Sequence, residues 1–271
     1  MRIGFLDSGL GGLTILRAVT HVLPQYDYVF YGDTANLPYG DRSEEEVYNF
    51  TLAGVRALFA DGCVLIIIAC NTASAETLRR IQDTVVRGEY PNRRVLGVIV
   101  PTVEVLLAAA VKHTLLLATQ RTVSSGKYDR ELQACGSTQA ITAVAAPQLV
   151  RLIEAGDIET AVNHAAKAIQ DTRDKKPDID SCVLGCTHYT LLKNQLRELF
   201  PNFTFFSQDE IIPEKLADYL NDHTEIAETL TTTSTRLIKL TDANSTYDQI
   251  VTQMLGGSML MYDRSYQKST R

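Results

Sequence analysis

Hydrophobic residues occur along this chain in short continuous runs that alternate with longer amphipathic stretches. Continuous apolar runs bounded by turn residues are typical of parallel strands that are covered on both faces. The strands predicted in this way comprise residues 2–6, 27–31, 63–69, 94–100, 114–118, 140–144, 181–185 and 203–206.

The stretches between these runs have the character of helices. Ser43 followed by Glu46 forms a capping-box pattern that leads into the apolar positions Val47, Phe50 and Val55, and it predicts a helix starting at Ser43. The other predicted helices comprise residues 75–87, 103–112, 147–154, 157–171, 189–200 and 213–220. Strands that alternate with helices predict an α/β protein with a parallel sheet and helices on both of its faces.

Two segments of the chain resemble each other. Residues 64–72 and 181–188 each run from an apolar strand into a cysteine followed by two polar residues and a predicted helix. We therefore predict two similar α/β halves, each with a cysteine at the carboxyl end of a strand, where open α/β sheets bind ligands. Two such ends facing each other would form a cleft.

The pattern weakens after about residue 211. A threonine-rich stretch at 229–235 precedes a predicted strand at 236–240 and a short predicted helix near 247–255, and the last residues are polar. We expect those last residues to be frayed.

Composition narrows the function classes. The 271 residues are 45% hydrophobic and 21% charged, and the longest apolar run has 8 residues, whereas about 20 are needed to cross a bilayer. The net charge of −6 argues against nonspecific nucleic-acid binding. The first residues show no secretory signal, and five irregularly spaced cysteines do not form a disulfide framework, so we expect a reducing, cytoplasmic location.

Cys70 is the first candidate for chemistry. It lies between a predicted strand and a helix, and the amide groups at a helix N-terminus lower the pKa of a thiol. Asn71 and Thr72 add an amide and a hydroxyl at the same point. A buried cysteine that only packs remains the alternative.

Cys186 has the same setting, with Thr187 and His188 beside it. A histidine next to a thiol can take or stabilise the thiol proton, although a structural thiol beside a satisfied histidine remains open. The spacing of Cys182, Cys186 and His188 also allows a metal site, but zinc sites generally use four ligands and no fourth is evident. We therefore predict no metal.

The two cysteines together indicate a specific task. Facing thiols can move a proton off one face of a carbon and onto the other, with one acting as thiolate base and the other as thiol acid. Such a site inverts a stereocentre without a cofactor.

A glycine-rich segment at residues 7–14 follows the first predicted strand. Its three glycines and Ser8 predict a backbone cradle for an anion such as a carboxylate, because neither the dinucleotide fingerprint nor the P-loop pattern is present. Asp7 could hold an ammonium group, tune a thiol or cap the helix. The turn-rich loop at 31–40 is expected at the same sheet edge, with ordinary turn chemistry as its alternative.

The segments 7–14, 31–40, 69–75 and 184–189 resemble, in the same order, the motifs of glutamate racemases in the cofactor-independent aspartate/glutamate racemase superfamily. The resemblance implies interconversion of L- and D-glutamate, with D-glutamate supplied for peptidoglycan and with no cofactor. It implies that Cys70 and Cys186 transfer the protons and that Asp7 and His188 assist them.

The resemblance also implies which residues bind substrate. They are Asp7, Ser8, Tyr39, Gly40, Asn71, Thr72, Thr119, Thr122, Thr187 and His188. Glu154 falls where the family often has an acid near the cleft.

The implied fold has two flavodoxin-like domains related by pseudo-twofold symmetry, with the active site between them. We expect residues 1–97 with 211–271 to form the first domain and 98–210 the second. Departures from the family pattern occur at Val100, Thr102, Ala146, Thr190 and Ser207. None removes a catalytic group, so they bear on the hinge, the oligomer interface or regulation.

Two other functions stay open at this stage. One is a racemase for aspartate or another small acid, and the other is a binding or regulatory protein without turnover. Retention of both thiols and both assisting residues argues against the second. We expect a small-molecule substrate, no membrane or nucleic-acid partner, and a homodimer.

Overall fold

The strands form two separate parallel sheets. The computed structural model describes residues 1–109, 111–242 and 261–262. The first sheet contains β1 (Arg2–Asp7), β2 (Tyr28–Gly32), β3 (Cys63–Ile68), β4 (Arg94–Gly97), β9 (Arg236–Leu240) and β10 (Met261–Tyr262). The second contains β5 (His113–Ala118), β6 (Ala140–Ala145), β7 (Ser181–Gly185) and β8 (Thr204–Phe206).

The strand orders of the two sheets match. The first sheet has the order β10-β9-β2-β1-β3-β4 and the second β6-β5-β7-β8, so both contain the same four-strand order 2-1-3-4. This topology confirms the predicted α/β class and places β3 and β7, the strands before the two cysteines, at equivalent positions. Strand β9 pairs with β2 in parallel, so the chain returns to the first sheet after completing the second.

Helices connect the strands and cover the sheets. They are α1 (Leu13–Val22), α2 (Glu44–Ala60), α3 (Asn71–Ile81), α4 (Arg87–Glu89), α5 (Ile99–Ala109), α6 (Gln120–Ser125), α7 (Lys127–Ala134), α8 (Gln148–Glu154), α9 (Ile158–Lys175), α10 (Lys193–Leu199), α11 (Gln208–Asp222) and α12 (Thr224–Ala227). A π-helical turn, Gln82–Val86, joins α3 to α4, and 3-10 helices occur at Tyr39–Asp41 and Thr187–Leu192. The predicted capping box is confirmed, since Ser43 and Glu46 bond reciprocally.

Several predicted boundaries are wrong. The strand predicted at 94–100 ends at Gly97, and α5 starts at Ile99 instead of residue 103. Pro101 is compatible with this start because the first turn of a helix leaves its amide groups unbonded. The helix predicted from Pro213 begins five residues earlier, and Pro213 lies inside α11.

Four helices, α1, α6, α7 and α12, were not among the predicted elements. The helix predicted at 189–200 is 3-10 in its first part, and the one predicted near 247–255 lies outside the described residues. None of the helices in the described part of the chain has the length and apolar character that crossing a bilayer requires.

The two halves are in contact through their cores. One buried apolar cluster joins Phe5 and Ile67 of the first sheet to Leu116 and Val183 of the second. Helix α11 packs along α1, which places the chain after β8 against the first half. The domain boundaries between residues 97 and 98 and at 211 remain a prediction, because the sheets establish only which strands belong together.

Candidate active site

A small cavity lies where the carboxyl ends of the two sheets meet. Its lining residues are Ser8, Leu37, Pro38, Tyr39, Gly40, Cys70, Asn71, Thr72, Thr119, Val150, Cys186, Thr187 and His188. The set includes every predicted site residue except Asp7 and Thr122. These two lie behind the lining, where Asp7 contacts Thr187 and Thr122 contacts Thr72.

The cavity is nearly closed. Its volume is about 10 Å³, close to the smallest volume that holds one water molecule. An amino acid is much larger than this, so the halves must part to admit one and close over it again. Both thiols are buried in this closed arrangement, with Cys70 5% and Cys186 7% exposed.

Cys70 follows β3 and occupies the N-cap position of α3. Burial raises the pKa of its thiol to about 12, and the charge of Asp7 adds to the rise, while hydrogen bonds with Ser8 and the Ala73 amide oppose it. The Ser8 hydroxyl lies 3.5 Å from the sulfur. The lowered pKa predicted from the helix N-terminus is therefore wrong, because desolvation outweighs the helix amides.

Cys186, His188 and Glu154 form a connected series of three side chains. Its sulfur lies 3.9 Å from His188 Nδ1, and His188 Nε2 lies 2.5 Å from Glu154 Oε1. Burial lowers the pKa of His188, but the hydrogen bonds and charges of Cys186 and Glu154 outweigh it and raise that pKa well above its ordinary value. The imidazole of His188 thus lies between the Cys186 sulfur and the Glu154 carboxylate, where it can exchange a proton with the thiol.

Asp7 is fully buried and fills the glycine-rich turn with its own carboxylate. The amides of Gly9 and Gly12 donate to Asp7 Oδ2 at 3.3 and 3.0 Å, and Thr187 Oγ1 donates to Oδ1 at 3.3 Å. Burial raises the pKa of Asp7, while the charge of His188 and these hydrogen bonds oppose the rise. The two amides expected to hold a guest carboxylate are thus already bonded to Asp7.

The glycines of this turn allow the two halves to approach. A Cβ atom on Gly11 would lie 2.6 Å from Thr187 Oγ1 and 2.8 Å from the backbone nitrogen of His188. One on Gly12 would lie 2.8 Å from Asp7 Cβ. These contacts are too short for any other residue, so the glycines serve close packing beside the cleft.

Threonine hydroxyls connect the halves on the other side of the cavity. Thr72 Oγ1 lies 2.9 Å from Thr119 Oγ1 and 3.2 Å from Thr122 Oγ1, and the last two lie 3.0 Å apart. Thr119 also caps α6 by accepting from the Thr122 amide. A Cβ on Gly40 would lie 2.9 Å from Thr119 Cβ, so the turn-rich loop lies against this cluster.

Tyr39 lines the cavity, but its hydroxyl is already used. It donates to Asp33 Oδ2 at 2.6 Å. Burial, then the charge and hydrogen bond of Asp33, raise the pKa of Tyr39 well above its ordinary value. The loop at 31–40 therefore reaches the cleft as predicted, with its tyrosine bonded within the first half.

Sequence reasoning missed two residues that contact the site. Tyr128 Oη donates to Asn71 Oδ1 at 2.7 Å, and Gln208 Nε2 donates to the same oxygen at 3.3 Å. Tyr128 lies in a helix that was not predicted, and Gln208 precedes the predicted start of α11, so no motif indicated either.

Among the departures from the family pattern, Thr190 joins the halves, since its hydroxyl donates to Thr14 Oγ1 at 3.1 Å.

Across the described residues, no cluster of three or more His, Cys, Asp or Glu side chains has the arrangement of metal ligands.

Comparison with known proteins places these features in a family. The family model Asp/Glu/Hydantoin racemase matches residues 14–209. A glutamate racemase of Dinoroseobacter shibae is 39% identical over 238 residues, which are 83% of this chain and 86% of that protein. The crystal structure of a glutamate racemase isoform from Bacillus anthracis has a TM-score of 0.85 at 28% identity and covers 98% of both chains. An aspartate racemase of Picrophilus torridus shares the fold, with a TM-score of 0.60 at 22% identity over 82% of this chain and 95% of that one.

Proposed function

The chain belongs to the Asp/Glu/hydantoin racemase family, and from that premise we propose that its two cleft thiols interconvert L- and D-glutamate without a cofactor. It is an amino-acid racemase and therefore an isomerase. The observation that carries the mechanism is that Cys70 and Cys186, which follow equivalent strands of the two sheets, line the same closed cavity.

The reaction needs one base and one acid on opposite faces of the α-carbon. A thiolate on one side takes the α-proton and becomes a thiol, while the electron pair of the broken C–H bond stays on the carbon. The thiol on the other side then donates its proton to the opposite face and becomes a thiolate. The reverse direction exchanges the two roles.

The surroundings of the thiols fit these alternating roles. Cys70 retains its proton at neutral pH, because burial and Asp7 raise its pKa. Cys186 lies beside His188, whose pKa is raised by its hydrogen bonds with Cys186 and Glu154 against the effect of burial. We therefore assign Cys70 and Cys186 as the two proton-transfer groups, each acting as base for one enantiomer and as acid for the other, with Asp7 and His188 as their assisting groups.

The bound amino acid needs preorganised donors around its carboxylates in the ground state as well as in the carbanion-like transition state. Ser8, Asn71, Thr72, Thr119 and Thr187 place hydroxyl and amide groups on the cavity lining. Closure of the halves excludes water and strengthens these contacts. We assign these five residues to substrate binding, together with Tyr39 and Gly40 as walls of the cavity and Thr122 as support for Thr72.

Glutamate is favoured over aspartate because the similar curated relative and the Bacillus structure are glutamate racemases, whereas the aspartate racemase shares only the fold. On this basis we assign the chain to the supply of D-glutamate for peptidoglycan, in the cytoplasm. We expect it to assemble as a homodimer.

The test is a circular dichroism assay of the purified protein without added cofactor, using both enantiomers of glutamate, aspartate and other small amino acids. The proposal predicts racemisation with the highest kcat/KM for glutamate. A higher kcat/KM for aspartate would reassign the substrate. Absence of both racemisation and deuterium exchange at the α-carbon in D₂O would support a binding role instead.

A further inference from the structure

Asn71 presents an unusual combination of bonded and unbonded atoms beside the cavity. Its side chain is 2% exposed and lines the cleft. Its Oδ1 accepts two hydrogen bonds, whereas its Nδ2 has no partner among the described residues. A buried amide NH₂ without an acceptor costs free energy, so this group is a donor that awaits a ligand.

The two donors to Asn71 Oδ1 come from different parts of the fold. Tyr128 lies in α7 of the second half, and Gln208 is the first residue of α11, which packs on the first half. Both side chains are buried, at 1% and 0% exposure. Tyr128 has a single hydroxyl proton, which it donates to Asn71 Oδ1 at 2.7 Å. The Gln208 group that lies 3.3 Å from both Asn71 Oδ1 and Tyr128 Oη must therefore be a donor, and it is the NH₂.

This hydrogen bonding determines which end of the Asn71 amide faces the cleft. Burial raises the pKa of Tyr128, so the hydroxyl keeps its proton and remains a donor. With Gln208 held by its own bonds, a rotated Asn71 amide would place its NH₂ against the Gln208 NH₂ and would leave the Tyr128 proton without its acceptor.

We infer that Tyr128 and Gln208 are positioning residues that hold the Asn71 amide with its NH₂ toward a carboxylate of the bound amino acid. The inference rests on the proposed function and adds two residues to it, neither of which lines the cavity. Gln208 Oε1 is also without a partner among the described residues, and its NH₂ remains the end directed at Asn71.

The first test is Tyr128→Phe, which removes the donor and keeps the ring in the core. A binding contact made equally in the ground state and the transition state affects KM and not kcat. We expect KM for both enantiomers of glutamate to rise about tenfold, with kcat within about twofold of the wild-type value. An unchanged KM in the folded variant would overturn the inference.

Tyr28→Phe is the matched control. Tyr28 is a fully buried tyrosine whose hydroxyl donates to Leu23 O at 2.7 Å, and it does not line the cavity. We expect a comparable fall in thermal stability with no change in KM. A KM rise of similar size in this control would show that the Tyr128 effect is only structural.

A double-variant cycle tests whether Tyr128 acts through Asn71. In the Asn71→Ala background, Tyr128→Phe should produce no further rise in KM. Fully additive effects would overturn the inference.

Should Tyr128→Phe fail to fold, Gln208→Met removes the second donor at similar volume, and the same interpretation requires a KM rise of at least about threefold.

Asn71→Asp tests the orientation itself. A carboxylate in place of the NH₂ would repel the substrate carboxylate, so we expect KM to rise further than in Asn71→Ala. Wild-type KM in Asn71→Asp would mean that an oxygen faces the cleft, and the inference would fail. Glutamate turnover by the wild-type protein is measured first. Its absence would contradict the proposed function, whereas normal turnover with unchanged KM in the variants would contradict this inference alone.

Discussion

Gly11 lies directly against Thr187, so that a Cβ atom added to the glycine would be 2.6 Å from the threonine hydroxyl oxygen. The two residues belong to different halves, and Thr187 also donates to the buried carboxylate of Asp7. The loop after β1 and the loop after β7 therefore close on each other with no space between them. Closure of the cleft depends on a glycine at this position.

We expect Gly11→Ala to impair closure more than stability. The added methyl group would also lie 2.8 Å from the His188 backbone nitrogen, which cannot move without displacing Cys186 and His188. Misplacement of reacting groups by about 1 Å can cost about 100-fold in rate, so we expect kcat/KM to fall by about that factor. Steady-state kinetics and thermal unfolding on the same samples measure the two effects.

Gly88→Ala is the control for this substitution. Gly88 is in α4, and a Cβ there would meet no atom within 4 Å. Alanine in a helix is favoured over glycine by about 0.5–1 kcal/mol, so this variant should be at least as stable as the wild type and fully active. Wild-type kcat/KM in Gly11→Ala would contradict the close approach of the two loops.

Much of the arrangement behind these predictions could be derived from the sequence. The repeat around Cys70 and Cys186 predicted equivalent positions, because an apolar run before a cysteine and polar residues is a local pattern, and the matching strand orders bear it out. The boundary at Gly97 could not be found in this way, since residues 98–100 continue the apolar run although the strand has ended and the helix begins at Ile99.

The electrostatics could not be predicted from local sequence. The sequence places Cys70 at a helix N-terminus but does not show that its thiol is 5% exposed and near Asp7. For the same reason the contact of Tyr128 with Asn71, 57 positions apart, has no signal in either segment. Distances across the chain decide pKa values and positioning contacts, and single-sequence patterns do not contain them.

The pKa of Cys70 leads to a titration experiment. Because burial and Asp7 raise it to about 12, Cys70 in the free protein should contribute no thiolate absorbance at 240 nm below about pH 10. The difference titration between the wild type and Cys70→Ala isolates this group. A thiolate step below pH 8 would contradict the effect that burial and Asp7 are expected to have on this thiol.

The raised pKa of Cys70 also affects the free energy of unfolding in a defined pH range. The folded pKa lies above that of the unfolded thiol, which is about 9, so the contribution of Cys70 to stability is fully present below pH 9. It is lost as the pH rises from there through the folded value. Urea unfolding of the wild type relative to Cys70→Ala should therefore show a difference that declines above pH 9.

The pair of His188 and Glu154 predicts another pH dependence. Burial lowers the pKa of His188, but Cys186 and then Glu154 raise it well above its ordinary value of 6.5. The stabilisation is therefore complete below about pH 6.5 and is lost as the pH rises through the raised folded value. We expect Glu154→Gln to lower the free energy of unfolding by about 1–2 kcal/mol at pH 6. Urea unfolding across pH values measures this, and a difference that grows with pH would contradict the assignment.

The central claim is that both thiols are needed, one on each face of the substrate. The direct measurement is racemisation from L- and from D-glutamate by Cys70→Ala and Cys186→Ala, with Cys135→Ala as control because Cys135 is exposed and outside the cavity lining. We predict a loss of at least about a thousandfold in both directions for each cleft variant and wild-type rates for the control. Wild-type racemisation by either cleft variant would contradict the account.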